Sequence, residues 1–449
     1  MVARQLMAST AHEAWYPGFG SLLRQMNRQD QADMDQLYAI QSVQLTSIVR
    51  FAFRQVRYYD DYARKTGLEF ESVRSHDDLR KLPIVTRKEV QRRRSDFLPY
   101  GWRNPRVHHA CTSGTTGIPL NYRLSMRDRA VGLALMYRGW GYSGYRLGDR
   151  VLLLAGRSLG AASRFGDTQL ADHARNLVRL SAFDMTDQAL GQYVAVLNQK
   201  RPAYIRGYPS ALRVLARRIL HNGGLTWQPN AVLTTAEVLL PEVRNEICRA
   251  FGCPVFDGYG LNDGGVSAFE CEFHCGLHVD TERSILEVVD NEGNPLAEGT
   301  GRIIATTLTN YAMPLLRYDT GDIGELVRHR CSCGRQRPLL KAIHGRSTDV
   351  LVTPEGKLVH GWFFVYLLRG MSRYVAEFEV VQETVTNVSI ALVPTSEYNS
   401  SVAGWLREVI HEFSAVWIVR IHTVEALQRV DGEKRKYVRT EVDTLNEVR

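Results

Sequence analysis

Cysteine is scarce in this chain, with seven in 449 residues, most of them late. An odd number spread over such a length is not the disulfide framework of a small secreted domain, so reduced thiols or metal ligands are expected. Long apolar runs are missing too. Nowhere do about eighteen uncharged apolar residues follow one another, and the opening "MVARQLMASTAHEAWYPGFG" lacks an apolar core of signal-peptide length. A cytoplasmic protein with no membrane partner is the expectation. Clustered positive charge is equally thin, although the formal net charge is +8. "RRR" at 92–94 is the only tight basic run, and no basic stripe interleaved with aromatics stands out. That argues against nucleic acid and for a solvated basic face, with an anionic substrate as the second reading. No internal repeat or low-complexity tract occurs.

What is present suffices for a large core: 44% of the residues are hydrophobic, and the length predicts two or three domains. The first hundred residues read as mostly helical, with Leu37, Ile40, Gln44, Ile48, Phe51 and Gln55 recurring at three-to-four-residue intervals within 36–56. The pattern then changes. "RVLLLAG" (150–156), "AYIRGY" (203–208) and "NAVLTTAEV" (230–238) read as short buried strands. Between the last two lies a helix whose Leu212, Leu215, Ala216, Ile219 and Leu220 share a face and whose stop is Gly223. Such alternation predicts an α/β sheet with ligands in the loops past the strand ends. The last hundred residues predict a small α+β unit: "TNVSIALV" alternates, Val402, Leu406, Val409, Ile410 and Phe413 outline a helix, and "WIVRIHTV" follows as a strand. The boundary falls in "HGRSTDV" (344–350), giving a large α/β domain over 1–345 and a small α+β domain over 346–449.

Residues 110–120, "ACTSGTTGIPL", crowd hydroxyls and glycines between apolar flanks. Free backbone N–H groups and hydroxyls on a glycine-closed loop form a concave donor surface suited to a phosphate chain; an ordinary Ser/Thr-rich turn is the bland alternative. "FDGYGLNDGG" (256–265), "RYDTGDIGEL" (317–326), "HGRSTDV" and "RVDGEKRKYV" (429–438) have similar character, each unremarkable alone. "ECEFHCGLHV" (270–279) and "RCSCGRQ" (330–336) add thiols and imidazoles on two loops, a set that favours tetrahedral zinc unless these are independent core cysteines.

In this order and spacing, the loops resemble those of the adenylate-forming superfamily of acyl-CoA synthetases, in its phenylacetate-CoA ligase-like branch; the resemblance begins at "KLPIVTRKEV" (81–90) and covers nearly the whole chain. It implies a mobile C-terminal domain. It also implies a phosphate-binding loop of Thr112, Ser113, Gly114, Thr115, Thr116 and Gly117, with Thr112 among the catalytic set. Tyr259, beside Gly260, matches an aromatic that stacks on adenine. Asp263 stands where the family usually has the glutamate that holds Mg²⁺, and a carboxylate suits that hard cation. Asp322 matches the carboxylate that takes both ribose hydroxyls, and Arg346 a second ribose or phosphate contact. Glu237, Tyr208 and Gly258 fall around the acyl pocket. Aligning Arg429 with the family's preceding arginine puts Lys434 on the catalytic lysine; a solvated tail charge among Arg435 and Lys436 is the bland reading, and Lys436 is the alternative. Cys271, His278, Cys331 and Cys333 match a zinc set found in part of the branch, with Cys275 and His274 as spares. Two departures stand out: Ile118 where the phosphate loop commonly has lysine, and Thr348, beside Asp349, at a hinge that usually carries aspartate or lysine.

The resemblance implies an ATP- and Mg²⁺-dependent ligase that activates an aromatic or aryl-acetic acid as its acyl-adenylate and passes the acyl group to coenzyme A. A carrier or amine acceptor, a nucleotide-binding pseudo-enzyme and a zinc-stapled nucleic-acid-binding protein are the rivals, and a homodimer is left open.

Overall fold

The computed structural model describes residues 2–101, 107–112, 120–155, 172–182, 185–346, 350–369, 371, 373–412, 414–427 and 437–442. Ser113 to Gly117, Ile118, Thr348, Asp349, Phe413, Arg429 and Lys434 to Lys436 lie outside the described residues.

The chain opens with four helices, Val2–Trp15, Phe19–Gln29, Met34–Gln55 and Arg57–Thr66. The third starts at a capping box, in which the Asp33 carboxylate accepts from the Gln36 N–H and the Gln36 side chain accepts from the Asp33 N–H. Its buried face is Leu37, Gln41, Leu45, Ile48, Val49, Ala52 and Phe53. The expected stripe is therefore turned: Leu37 and Ile48 are core, but Ile40 and Gln44 sit at its margin. A buried glutamine explains the shift. Gln41 donates to the Thr281 and Ser284 carbonyls at 2.7 and 3.2 Å, so a polar residue occupies a core position.

The three predicted strands fall in one parallel sheet, joined by two that the sequence pattern did not show, in the order Leu177–Ser181, Val151–Ala155, Tyr204–Gly207, Ala231–Thr234, Val255–Phe256. Helices Asp187–Lys200, Pro209–His221 and Pro241–Phe251 cover the face carrying Leu152, Leu154, Ile205 and Val232. The opposite face, with Val151, Tyr204, Ala231 and Leu233, packs on Trp140 of the helix Met126–Gly141 and on Tyr145. Burial on both faces is why these strands read as continuous apolar runs. The strand expected over 230–238 is shorter than its sequence pattern, ending at Thr234 before Ala236 at φ 69°.

A seven-stranded antiparallel sheet follows, ordered Ser284–Val289, Gly299–Thr307, Tyr318–Val327, Leu339–Arg346, Leu277–Val279, Val266–Glu270, Gly258–Leu261. Its strand order brings the two Cys/His loops to neighbouring strands. Beyond it, Val375–Gln382, Asn387–Pro394, Ile418–Thr423 and Val438–Thr440 build a four-stranded mixed sheet against helices Trp362–Arg369 and Ser400–His411, with a core of its own that includes Phe364, Leu368, Ile390, Leu406 and Trp417. No helix among the described residues is long and apolar enough to cross a membrane.

Candidate active site

Thr112 closes the base of the hydroxyl-rich loop. The hairpin Val107–Cys111/Asn121–Ser125 pairs in antiparallel register, and past it the Thr112 N–H donates to the Leu120 carbonyl at 3.0 Å while the Leu120 N–H donates to Thr112 Oγ1 at 3.0 Å. Arg87 donates to the same hydroxyl at 2.6 Å. Arg87 is brought there because Val85 docks as a parallel bridge on Tyr318, with the Val85 N–H bonded to Arg317 O and the Asp319 N–H to Val85 O, both at 2.9 Å. A guanidinium thus sits at the foot of the phosphate-loop candidate.

The strand Tyr318–Val327 bulges at its start. Opposite it, Ile304 pairs with Asp319 and Arg302 with Ile323, so the register gains residues around Gly321, whose φ of 77° suits glycine. The Asp319 carboxylate accepts from the Gly321 N–H at 2.9 Å, and Thr320 Oγ1 accepts from the Asp322 N–H at 3.1 Å. The bulge presents Asp322 to Tyr259, whose hydroxyl donates to it at 2.8 Å, and to Arg346, its strand partner, whose Nε lies 3.8 Å away. Burial pushes the Asp322 carboxyl up, and Arg346 and Tyr259 pull it back. Asp263, also buried, accepts from the Tyr318 hydroxyl at 2.9 Å; burial raises its pKa, and Tyr318, Arg87 and Arg346 oppose that. Asp263, Asp322, Tyr259, Arg346, Arg87 and Thr112 therefore make one constellation.

A small cavity of about 20 Å³ lies beside it, lined by Gly139, Trp140, Arg206, Leu233, Thr234, Thr235, Phe256, Asp257, Gly258, Phe269 and Glu270. Gly258 is the one residue of the expected acyl set on this wall, its neighbour Tyr259 belonging to the nucleotide side. Tyr208 caps the helix Pro209–His221 close to Arg206. Glu237 is committed to the start of that helix: its carboxylate accepts from the Ser210 N–H and hydroxyl, both at 2.9 Å.

The thiol-rich loops converge. The ligand atoms of Cys271, His278, Cys331 and Cys333 all lie within 4.8 Å of one another. Cys271 Sγ is 3.5 Å from Cys331 Sγ, and Cys333 Sγ is 3.4 Å from His278 Nε2. Three thiols and one imidazole, all buried but the half-buried Cys333, are a donor set that fits one tetrahedral zinc. His278 Nδ1 is buried without a hydrogen-bond partner, and burial pushes this imidazole down to about 4, keeping it neutral as a ligand must be. Of the spares, Cys275 Sγ lies 2.9 Å from Cys331 Sγ, while His274 turns away to Glu270 at 3.2 Å and to the Phe256 ring.

Around this corner runs a buried ionic network. Arg138 pairs with Asp280 and Glu282; Arg337 pairs with Glu282 at 2.8 Å and Asp30 at 3.3 Å; Tyr142 and Arg335 donate to Asp30 at 2.6 and 2.9 Å. It ties the Cys/His corner to the N-terminal helices. Sequence reasoning had no signal for it beyond isolated charges in apolar surroundings. It also passed over Arg87 and Tyr318, both inside motifs that drew attention for other residues.

Residues 351–441 match the CapK C-terminal domain family. The chain is 27% identical over 366 residues to a phenylacetate-coenzyme A ligase of Thermus thermophilus, covering 79% of this chain and 77% of that protein. To Protein CapK of Staphylococcus aureus it is 23% identical over 411 residues, covering 90% and 89%. A crystal structure of 2-hydroxyisobutyryl-CoA ligase in the postadenylation state superposes with a TM-score of 0.68 at 18% identity, over 93% of this chain and 92% of that one, which is a likeness of fold. In sequence the chain is similar to phenylacetate-coenzyme A ligases and to CapK, and its fold is that of the adenylate-forming CoA ligases.

Proposed function

We propose that the protein is an ATP-dependent acid–thiol ligase that converts an aromatic or aryl-acetic acid to its acyl-adenylate and then to the coenzyme A thioester. In the first step a carboxylate oxygen attacks the α-phosphorus and pyrophosphate leaves; in the second a thiolate attacks the acyl carbonyl and AMP leaves. The observation that carries the reading is the convergence of Asp322, Tyr259, Arg346 and Asp263 with Arg87, which donates to Thr112. Asp322 offers two oxygens, as a vicinal diol requires, and Tyr259 fixes its orientation. Arg87 and Thr112 supply charge and a donor for the phosphates where Ile118 supplies none. Asp263 would hold Mg²⁺, which neutralises phosphate charge when bound. Lys434 is assigned the cation that meets the charge building up between carboxylate and α-phosphate, and residues 346–449 the domain that delivers and withdraws it.

Zinc, held by Cys271, His278, Cys331 and Cys333, is assigned a structural role, since four protein ligands leave no position for water. The phenylacetate-coenzyme A ligase of T. thermophilus supports the acid class and the acceptor. The deciding experiment is ATP–pyrophosphate exchange over a panel of carboxylic acids, followed by acceptors. Exchange stimulated by an aryl acid, with product release on adding coenzyme A, is expected. Absence of exchange with every acid would overturn the reading.

A further inference from the structure

Cys275 is a thiol that the four-ligand set leaves over. It donates to Cys331 Sγ at 2.9 Å, closer than Cys271 Sγ, which stands 3.5 Å from the same sulfur. Two sulfurs bound to one tetrahedral zinc lie about 3.8 Å apart, given a Zn–S bond of about 2.3 Å. The spacing therefore makes Cys275 a partner of Cys331 and not its co-ligand. The chain on either side holds it there. The His274 N–H donates to the Cys271 carbonyl at 3.0 Å, and the His274 ring is tied to Glu270 at 3.2 Å. Beyond it, a Cβ on Gly276 would lie 2.7 Å from the Leu340 carbonyl oxygen, so the backbone is pressed against the strand Leu339–Arg346. Cys275 is half-buried and follows the exposed Glu272, Phe273 and His274, whereas Cys271 and Cys331 are buried.

A cysteine oxidised to the sulfenic acid is recovered if a neighbouring thiol traps it as a disulfide, and is lost once it reaches the sulfinic acid. We propose that Cys275 is a resolving thiol, which bonds to Cys331 when a hydroperoxide oxidises that residue and so spares the Cys/His corner irreversible damage. With hydrogen peroxide, the Cys331 sulfur takes one oxygen as the O–O bond breaks, and the thiol proton leaves with the other oxygen as water. The Cys275 sulfur then attacks Cys331 Sγ: the S–S bond forms, the S–O bond breaks, and the Cys275 proton leaves with the hydroxyl as a second water. The two sulfurs lose two electrons and the peroxide gains them. The sulfurs have only to close from 2.9 Å to a bond of about 2.05 Å. Resting on the structural-zinc reading, one consequence follows: the disulfide takes Cys331 out of the ligand set, so metal leaves on oxidation and rebinds after reduction.

The probe is hydrogen peroxide added to the full chain, followed by dithiothreitol, with non-reducing peptide mapping, thiol titration and elemental analysis at each stage. In the wild type the dominant disulfide should be Cys275–Cys331, and reduction should restore both thiols. Untreated Cys275→Ser should match the wild type in metal content and melting temperature. After peroxide, its Cys331 should advance to the sulfinic acid, a gain of two oxygens, and reduction should return about tenfold less free thiol at that residue than in the wild type. A different dominant pair, such as Cys271–Cys331, overturns the proposal, as does a free Cys331 thiol after reduction in Cys275→Ser equal to that of the wild type. Metal loss from untreated Cys275→Ser also overturns it, since Cys275 would then be a ligand. If the untreated wild type holds no metal, the zinc reading falls, and the mapped pair and the recovered thiol still decide the role of Cys275.

Discussion

Two aspartates at the nucleotide side show how environment separates residues of one type. Asp322 lies between Tyr259 and Arg346, and Asp263 under Tyr318; both are pushed up by burial, but among the described residues only Asp322 faces a cation within 4 Å. If Asp322 takes the ribose hydroxyls, Asp322→Asn removes charge-assisted bonds that exist in ground and transition states alike. The KM for ATP should then rise about ten- to hundredfold with kcat less affected, the range of a charged hydrogen bond; an unchanged KM in steady-state exchange kinetics would remove Asp322 from the nucleotide. Lys434→Ala makes the complementary case. A cation acting in the transition state should, when deleted, abolish exchange while nucleotide binding and melting temperature hold. Near wild-type exchange would transfer the role to Lys436.

At the scale of elements, Gly139 and the Cys/His corner are the informative contacts. The helix Met126–Gly141 passes so close to the strand Val266–Glu270 that a Cβ on Gly139 would lie 2.2 Å from Phe269 Cγ. Gly139→Ala must therefore displace a ring that lines the cavity. A loss of about 1–3 kcal/mol in denaturant unfolding is expected, together with a raised KM for the acid and an unchanged KM for ATP. For the corner, elemental analysis should find close to one metal per chain, and Cys331→Ser should lower both metal content and melting temperature, because metal affinity is folding energy. A metal-free wild type of equal stability would leave the four converging side chains without a function. Much of this was legible beforehand: strands 151–155 and 204–207 announce themselves as apolar runs because both faces are covered, and the cysteine loops by residue type alone. What stayed hidden depends on partners distant in sequence. Gln41 is core only because strand 284–289 lies over it, Ile40 and Gln44 move to the margin as a result, and Glu237 points to Ser210 because a helix starts there. Spacing within a segment carries none of that.

Across the whole molecule the apolar core is divided. One cluster joins the helices of the first hundred residues to Leu308, Leu316 and Tyr318, another fills the parallel sheet, and a third, including Phe364, Ile390, Leu406 and Val438, lies wholly within residues 351–438. A unit with its own core can move without breaking it, and Arg346 stands at the end of the last strand before that unit begins. If residues 346–449 rotate between adenylation and acyl transfer, the backbone from Arg346 to Asp349 absorbs the change. Proline at 348 fixes one torsion and removes an N–H. Thr348→Pro should accordingly keep the adenylation half-reaction, provided the locked geometry is the one with Lys434 docked, and slow transfer from the acyl-adenylate. Pyrophosphate exchange reports the first step, and single-turnover reaction of preformed acyl-adenylate with coenzyme A reports the second. A transfer rate equal to wild type would mean that both steps proceed from one arrangement of the two units, and that the lysine and the thiol reach the acyl carbon without exchanging places.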